Sequence, residues 1–413
     1  MRTEVAALAL IGSMLVAPAA GAEMAVGTWL EQDTATGDWG GLRSRAKDAG
    51  ITFEANYQTD LMTNPIGGGE HGFAYAGLLE AALAFDLETM LGLKGLEFFI
   101  AASWASGRDL SDKDIGNLFT VAQVFSGRSV RLDQMYFQQT LFDEALNLAV
   151  GRLSTADDFA TSDLYGYYVS AAINTNPFSI PQNVASFSTD PVASWGVRAI
   201  VQPLDQLYVA AGVYNADPDI GDDGKNGVDF VLNPEDGILT VAEVGYQRNQ
   251  AEGDAGLPGN FRIGAYYDSS DFDPVDDSGR RRDGNYGLYL LLDQMVYREG
   301  GAGSDQGLTP WAALTFAPVE RVNTLPFFAA GGLLYQGLLP GRDDDVTAFG
   351  VYYGKFSDKL QDQNAETVIE ANYRFQLAPW LYVTPDFQYV FRPNGSDDID
   401  DAAVFGGEIS IDF

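Results

Sequence analysis

Residues 51–61 read Ile-Thr-Phe-Glu-Ala-Asn-Tyr-Gln-Thr-Asp-Leu. In an extended chain Ile51, Phe53, Ala55, Tyr57 and Leu61 share one face, and Thr52, Glu54, Asn56, Gln58 and Asp60 share the other. This is the period-two alternation of a strand with one apolar and one polar side. A soluble sandwich strand shows the same alternation, so the decision rests on how often the pattern recurs and at what length. It recurs at 79–88, where Leu79, Ala81, Leu83, Phe85 and Leu87 oppose Glu80, Asp86 and Glu88, and at 94–104, where Leu96, Phe98, Ile100 and Trp104 share a face. Further candidate segments are 130–141, 145–153, 194–202, 206–214, 238–248, 259–268, 285–296, 307–317, 326–336, 346–356, 366–376, 381–392 and 404–413. Most have the length that a tilted strand needs to cross a bilayer, roughly 9 to 12 residues. The expected fold is therefore all-β, a transmembrane antiparallel barrel of about sixteen strands.

The connections support that reading. Short ones, Gln202–Gln206 and Leu377–Trp380, suit periplasmic turns, and long polar ones fall between them at 215–237, 269–284 and Gly395–Asp401. A barrel in an outer membrane has that asymmetry, and a sandwich has no reason for it. The last segment places Phe405, Gly407, Ile409, Ile411 and Phe413 on one face. A terminal aromatic on an alternating strand resembles the signal read by the barrel-assembly machinery, which makes that machinery an expected partner. Tyr266 with Tyr267, Tyr352 with Tyr353, Trp380 with Tyr382, and Tyr389 with Phe391 lie near strand ends, where aromatic girdles are expected at the lipid headgroups.

An apolar run at 5–19 is followed by Ala20-Gly21-Ala22, a small-residue cleavage site. Residues 1–22 thus read as a signal peptide, 23–50 as an N-terminal periplasmic segment with a short helix, and 51–413 as the barrel. No other stretch approaches the roughly 20 apolar residues of a membrane-spanning helix, so a membrane location requires a barrel. The expected place is the outer membrane of a Gram-negative bacterium, with its lipid and lipopolysaccharide as partners.

Composition narrows the chemistry. The 413 residues include 58 Asp plus Glu, 24 Lys plus Arg, one His and no Cys, for a net charge of -34. Without cysteine there is no disulfide, no thiolate metal site and no cysteine nucleophile. A Ser-His-Asp triad would depend on His71, in the glycine-rich stretch Gly-Gly-Gly-Glu-His-Gly. The charge repels phosphate backbones, so nucleic acid is not an expected partner. No cofactor is implied.

Several fragments carry a resemblance. Gly37-Asp38-Trp39-Gly40-Gly41-Leu42-Arg43, running on to Ala49-Gly50-Ile51, is followed by Leu132-Asp133-Gln134-Met135-Tyr136, Val150-Gly151-Arg152, Asn176-Pro177 and Ser194-Trp195-Gly196. Glu370-Ala371-Asn372-Tyr373-Arg374 and Thr384-Pro385-Asp386-Phe387-Gln388-Tyr389 come later. In order and spacing these resemble the carbohydrate-selective outer-membrane porins of the OprB type. The resemblance implies a passive, carbohydrate-preferring channel for small solutes, with charged and aromatic side chains at its constriction, and no enzymatic step.

In a barrel the polar partners of lipid-facing residues point into the pore. By parity the candidates are Glu54, Asn56, Gln58 and Asp60 from 51–61, Arg198, Arg262, and Glu370, Asn372 and Arg374 from 366–376. Arg152 follows Leu146, Leu148 and Val150 and is expected where its strand leaves the membrane. Arginines facing many carboxylates would supply fixed donors to sugar hydroxyls. The alternative for each is simple pairing with a neighbouring acid. With so many acids the pore as a whole is expected to carry a negative potential.

Residues 154–193 have no clean membrane pattern but hold Asp157, Asp158, Tyr165, Tyr167, Tyr168 and Phe178. We expect a loop with a helical start that folds in and narrows the pore; an external adhesive loop is the alternative. The acids of 217–229 partly follow a calcium-loop pattern from Asp222, but Asn233 stands where the bidentate Glu belongs. A solvated acidic loop is expected, with no metal site. Two rivals stay open at this point: a secreted β-rich glycoside hydrolase using paired carboxylates, and a non-conducting structural or adhesive barrel.

Overall fold

The computed structural model describes residues 26–413 apart from 218, 251–253 and 277. The expected signal peptide, 1–22, lies outside the described residues. Strands run in chain order as β1 (Ile51–Ile66), β2 (Phe73–Asp86), β3 (Leu96–Gly107), β4 (Val130–Leu141), β5 (Leu146–Leu153), β6 (Ser194–Leu204), β7 (Leu207–Asn215), β8 (Ile238–Arg248) and β9 (Gly259–Phe272). They continue as β10 (Arg282–Gln294), β11 (Tyr297–Arg298), β12 (Gly307–Phe316), β13 (Phe327–Gln336), β14 (Val346–Lys355), β15 (Ala365–Ala378), β16 (Leu381–Phe391) and β17 (Ala402–Asp412). Every neighbouring pair is antiparallel, and β1 pairs with β17 through Asn56 opposite Asp412 and Asp60 opposite Glu408, which closes the sheet. The short β11 continues β10 alongside β12, so the wall is a barrel of sixteen staves.

Closure leaves no edge strand, and every wall strand finds hydrogen-bond partners on both sides. The alternation decides what faces where. Along β7, Ala210 and Tyr214 are 0% and 1% exposed and point inward, while Val209 and Val213 are 43% and 46% exposed on the outer face. Val197, Ile263, Leu288, Leu314, Phe349 and Phe405 continue that exposed apolar surface around the wall. In water a belt of this extent would drive association; hydrocarbon is the solvent that accommodates it. Among the described residues no helix is long and apolar enough to cross a membrane.

Strands β1 and β2 outrun the sequence expectation, because they continue as a hairpin beyond Leu61 up to the turn at 67–72. The aromatic girdle needs a correction. Adjacent strand residues point to opposite faces, so Tyr267 and Tyr353 face outward whereas Tyr266 and Tyr352 are buried inside. Tyr382 also points inward, and Trp380 packs against Trp29 with the rings tilted by 50° and their centres 4.4 Å apart.

The long connections, 108–129, 154–193 and 216–237, all lie at one end of the barrel, opposite the chain termini. At the end that carries the termini the segment before β1, with its helix Leu42–Asp48, laces onto the last strand. Arg43 Nη1 donates to the Phe413 carbonyl at 2.9 Å and Nη2 to the Phe53 carbonyl at 2.9 Å, and the Ala35 N–H donates to Asp412 O at 2.8 Å.

Candidate functional site

Two of the long connections turn into the lumen. The one between β5 and β6 was expected to; it contains the helices Thr155–Asp158 and Ser179–Asn183 and buries Phe159, Tyr165, Tyr168 and Ile173. The other, 108–129, was not anticipated, and buries Phe119, Val121 and Val124. The loops pair with each other: Gln123 N donates to Val169 O, and Ala171 N to Thr120 O, both at 2.9 Å.

Carboxylates of the wall hold them there. Glu366 accepts the backbone N–H groups of Leu118 at 2.8 Å and Phe119 at 2.7 Å. Glu370 accepts Val169 N–H at 2.7 Å and the Tyr352 hydroxyl at 2.8 Å. Glu243 accepts Ala160 N–H at 3.0 Å and the Tyr208 hydroxyl at 2.6 Å. Each carboxyl oxygen leaves the loop backbone it faces satisfied inside the barrel.

This arrangement relocates several candidate pore residues. Asp60 and Glu370 are fully buried behind the loops, so they do not face open channel. Asn372 donates to Tyr167 O at 3.0 Å and to Glu370 at 3.1 Å, which makes it part of the same anchor. Glu54 stands exposed near the start of β1, and Asn56 donates to Ser410 Oγ at 2.8 Å and Asp412 Oδ1 at 2.7 Å. Arg152 is buried and donates to the carbonyls of Gly227, Asp229 and Ala193. It clamps the loop 216–237 at the point where β5 leaves the edge of β4, an edge that Asn226 O fills by accepting Leu132 N–H at 3.0 Å. Arg198 pairs with Asp158 of the fold-in loop at 2.8 Å and reaches Asn147 and Gln138. Arg262 pairs with Asp293 at 3.4 Å.

Arg374 has different company. Its guanidinium carbon lies 3.9 Å from the ring centre of Tyr382 and 4.6 Å from that of Tyr167, so it sits against two aromatic faces. Nη2 donates to Gly166 O at 2.5 Å and stands 3.7 Å from Glu408 Oε1. Tyr382 donates to that same Glu408 oxygen at 3.1 Å, and Gln58 Nε2 donates to the Tyr382 hydroxyl at 2.9 Å. Gln58, Tyr382, Arg374 and Tyr167 therefore form one row from the β1 wall to the fold-in loop. Tyr382, expected in the aromatic girdle, carried a contrary signal: Thr384, Asp386 and Gln388 share its face of β16, and all are polar. Gln58 also borders a lumen cavity of about 580 Å³ together with Thr120, Gln123, Arg131 and Asn174.

Glu80, Asp133 and Asp190 bring one carboxylate oxygen each within 4.8 Å of one another at this cavity, the spacing a metal ion would need. In the loop 216–237 the calcium pattern is used differently. Asp222 and Asp229 accept their own backbone N–H groups two residues on, and Lys225 Nζ lies 3.5 to 3.9 Å from Asp217, Asp219 and Asp229.

The profile of the carbohydrate-selective porins, OprB family, matches residues 70–413. The chain belongs to the OprB family. Porin B of Pseudomonas aeruginosa is 26% identical over 422 residues, covering 91% of this chain and 90% of that protein. OprB of Pseudomonas putida, in its high-pH structure, is 26% identical, with a TM-score of 0.85 over 93% of this chain and 99% of that one. The low-pH structure of OprB from that organism gives 0.63 at 22% identity over the same shares. As an OprB-family porin the chain is a passive channel of the bacterial outer membrane that prefers carbohydrates, and neither comparison supports the hydrolase or the non-conducting reading.

Proposed function

We propose that small sugars are selected at the row formed by Gln58, Tyr382, Arg374 and Tyr167, and that net charge contributes little to that choice. The observation behind this is the Arg374 guanidinium seated against two tyrosine rings. Aromatic surface suits the C–H face of a pyranose, while a planar guanidinium edge and an amide supply donors to its hydroxyls. Several lumen carboxylates, Glu366, Glu370 and Asp158 among them, are by contrast occupied with loop backbone or arginine, which reduces the charge they offer to a passing solute. The test is sugar-induced block of single-channel current. Arg374→Ala and Tyr382→Ala should each weaken block, and Arg374→Lys should fail to restore it, because a point ammonium lacks the planar edge. Block equal to that of the parent channel in all three would remove the row from selection.

The same proposal takes 1–22 as the export signal and 23–50 as a periplasmic segment closing onto the last strand. N-terminal sequencing of protein recovered from outer membranes should begin at Glu23. Lipid and lipopolysaccharide are the proposed surroundings of the apolar belt, and the assembly machinery is the proposed reader of the strand ending at Phe413.

A further inference from the structure

Between β10 and β11 the register slips. Asp293 pairs with Trp311, whereas Tyr297 pairs with Leu308 and Arg298 with Gly307, so one extra residue stands on this side of the ladder. The slip inverts the parity. Asp293 and Met295 are buried inward-facing residues, and uninterrupted alternation would send Tyr297 inward and Arg298 out to lipid. Instead Tyr297 is on the outer face, with its ring 6.3 Å from that of Tyr335, and Arg298 lines the lumen. Bulges that re-aim one side chain are features of functional sites. Here the re-aimed group is a cation brought from the outer face into the lumen.

Arg298 points into a separate cavity of about 160 Å³ at the periplasmic end, bordered also by Tyr167, Asp305, Gln336, Leu334 and Val346. Tyr167 is the ring that covers Arg374 in the selecting row, so the cavity follows directly beyond it. Arg298 Nη1 donates to Asp254 O at 3.3 Å, while its Nε is buried without a partner. An anion in this cavity would meet Asp305, and a cation would meet Arg298. A neutral polyol can use both together with the Gln336 amide, and can rest its C–H face on Leu334 and Val346. A cavity of about 160 Å³ has room for several ordered waters, whose places a sugar's hydroxyls could take.

We propose that this cavity is a second sugar subsite, an exit station from which the solute leaves for the periplasm. Two modest sites in series favour both entry and departure, which one deep site does not. The proposal rests on the sugar-channel reading above. The experiment uses the full-length protein in planar bilayers, in channels of known orientation, with glucose or maltose added to one chamber at a time. Arg298→Ala and Gln336→Ala should each weaken block from the periplasmic chamber about fivefold, the worth of one hydrogen bond, and leave block from the extracellular chamber unchanged. Heat-modifiable migration confirms that each variant is a folded barrel, and Asp305→Asn is the third variant should Arg298→Ala fail to assemble. If the parent channel is blocked by sugar from neither side, the sugar-channel reading fails. If the parent is blocked but the variants match it from both chambers, the exit subsite is overturned and the parent reading stands.

Discussion

Glu370 on β15 accepts the backbone N–H of Val169 at 2.7 Å, so a residue of the barrel wall fixes the peptide of the fold-in loop two positions beyond Tyr167. Removing that acceptor leaves a buried N–H and the Tyr352 hydroxyl without their partner. Glu370→Ala should lower stability by about 1–3 kcal/mol, the cost of leaving a buried donor unsatisfied. It should also raise single-channel conductance, because the loop that narrows the pore is released. Conductance equal to that of the parent would show that the other anchors suffice.

Arg198 and Asp158 form a partly buried pair 2.8 Å apart. Arg198→Ala would leave the Asp158 carboxylate in the lumen without its cation. The channel should become more cation-selective, and increasingly so at low ionic strength. Reversal potentials in a salt gradient measure this, and an unchanged potential would mean that Asp158 takes up a proton or finds another donor.

Arg152 holds the loop 216–237 through three carbonyls and takes no part in the selecting row. Arg152→Ala should therefore expose that loop to protease added outside intact cells, with sugar block unaltered. Protection equal to that of the parent would contradict the clamp.

Asp345 lies in a periplasmic turn, where burial is outweighed by hydrogen bonds from Arg342, Tyr373 and the Gln376 N–H, and its carboxyl is held below the usual carboxylate range. A carboxyl with a lowered folded value contributes stability above its unfolded value of about 3.9, and that contribution is lost as pH falls through the folded value. Asp345→Asn should melt at a lower temperature than the parent at pH 7, and the difference should close in strong acid. A constant difference across that range would assign the effect to packing.

Phe413 donates its N–H to Ala55 O at 2.8 Å and accepts from Arg43 at 2.9 Å. Deleting it should reduce the amount of assembled barrel while synthesis continues, and normal surface levels of the truncated chain would count against that role.

The wall was legible because lipid imposes a strict period of two on long runs, as in Ile51 to Leu61. Length alone marked 154–193 as more than a connection. The inward turn of 108–129 left no such mark, since Phe119 and Val121 are buried by a wall that comes much later in the chain. Parity placed Arg198, Arg262 and Arg374 inside, but could not say which would pair with an acid and which would lie against rings. That depends on Asp158, Asp293, Tyr167 and Tyr382, all brought in from other elements. Arg298 was hidden for a sharper reason: a single inserted residue reverses the parity on which such reading depends.

The separation in sequence between the loops and their anchors sets an order of events. Leu118 and Phe119 are held by Glu366, 248 and 247 residues downstream, and Val169 by Glu370, 201 residues downstream. Contacts this distant form only after much loop-closure entropy has been overcome. A chain threaded as far as β14 therefore owns both plugs and Glu243, but neither Glu366 nor Glu370, which seat Leu118, Phe119 and Val169. The narrow pore is among the last things made, and a barrel arrested before its final strands would sit in the membrane ungated.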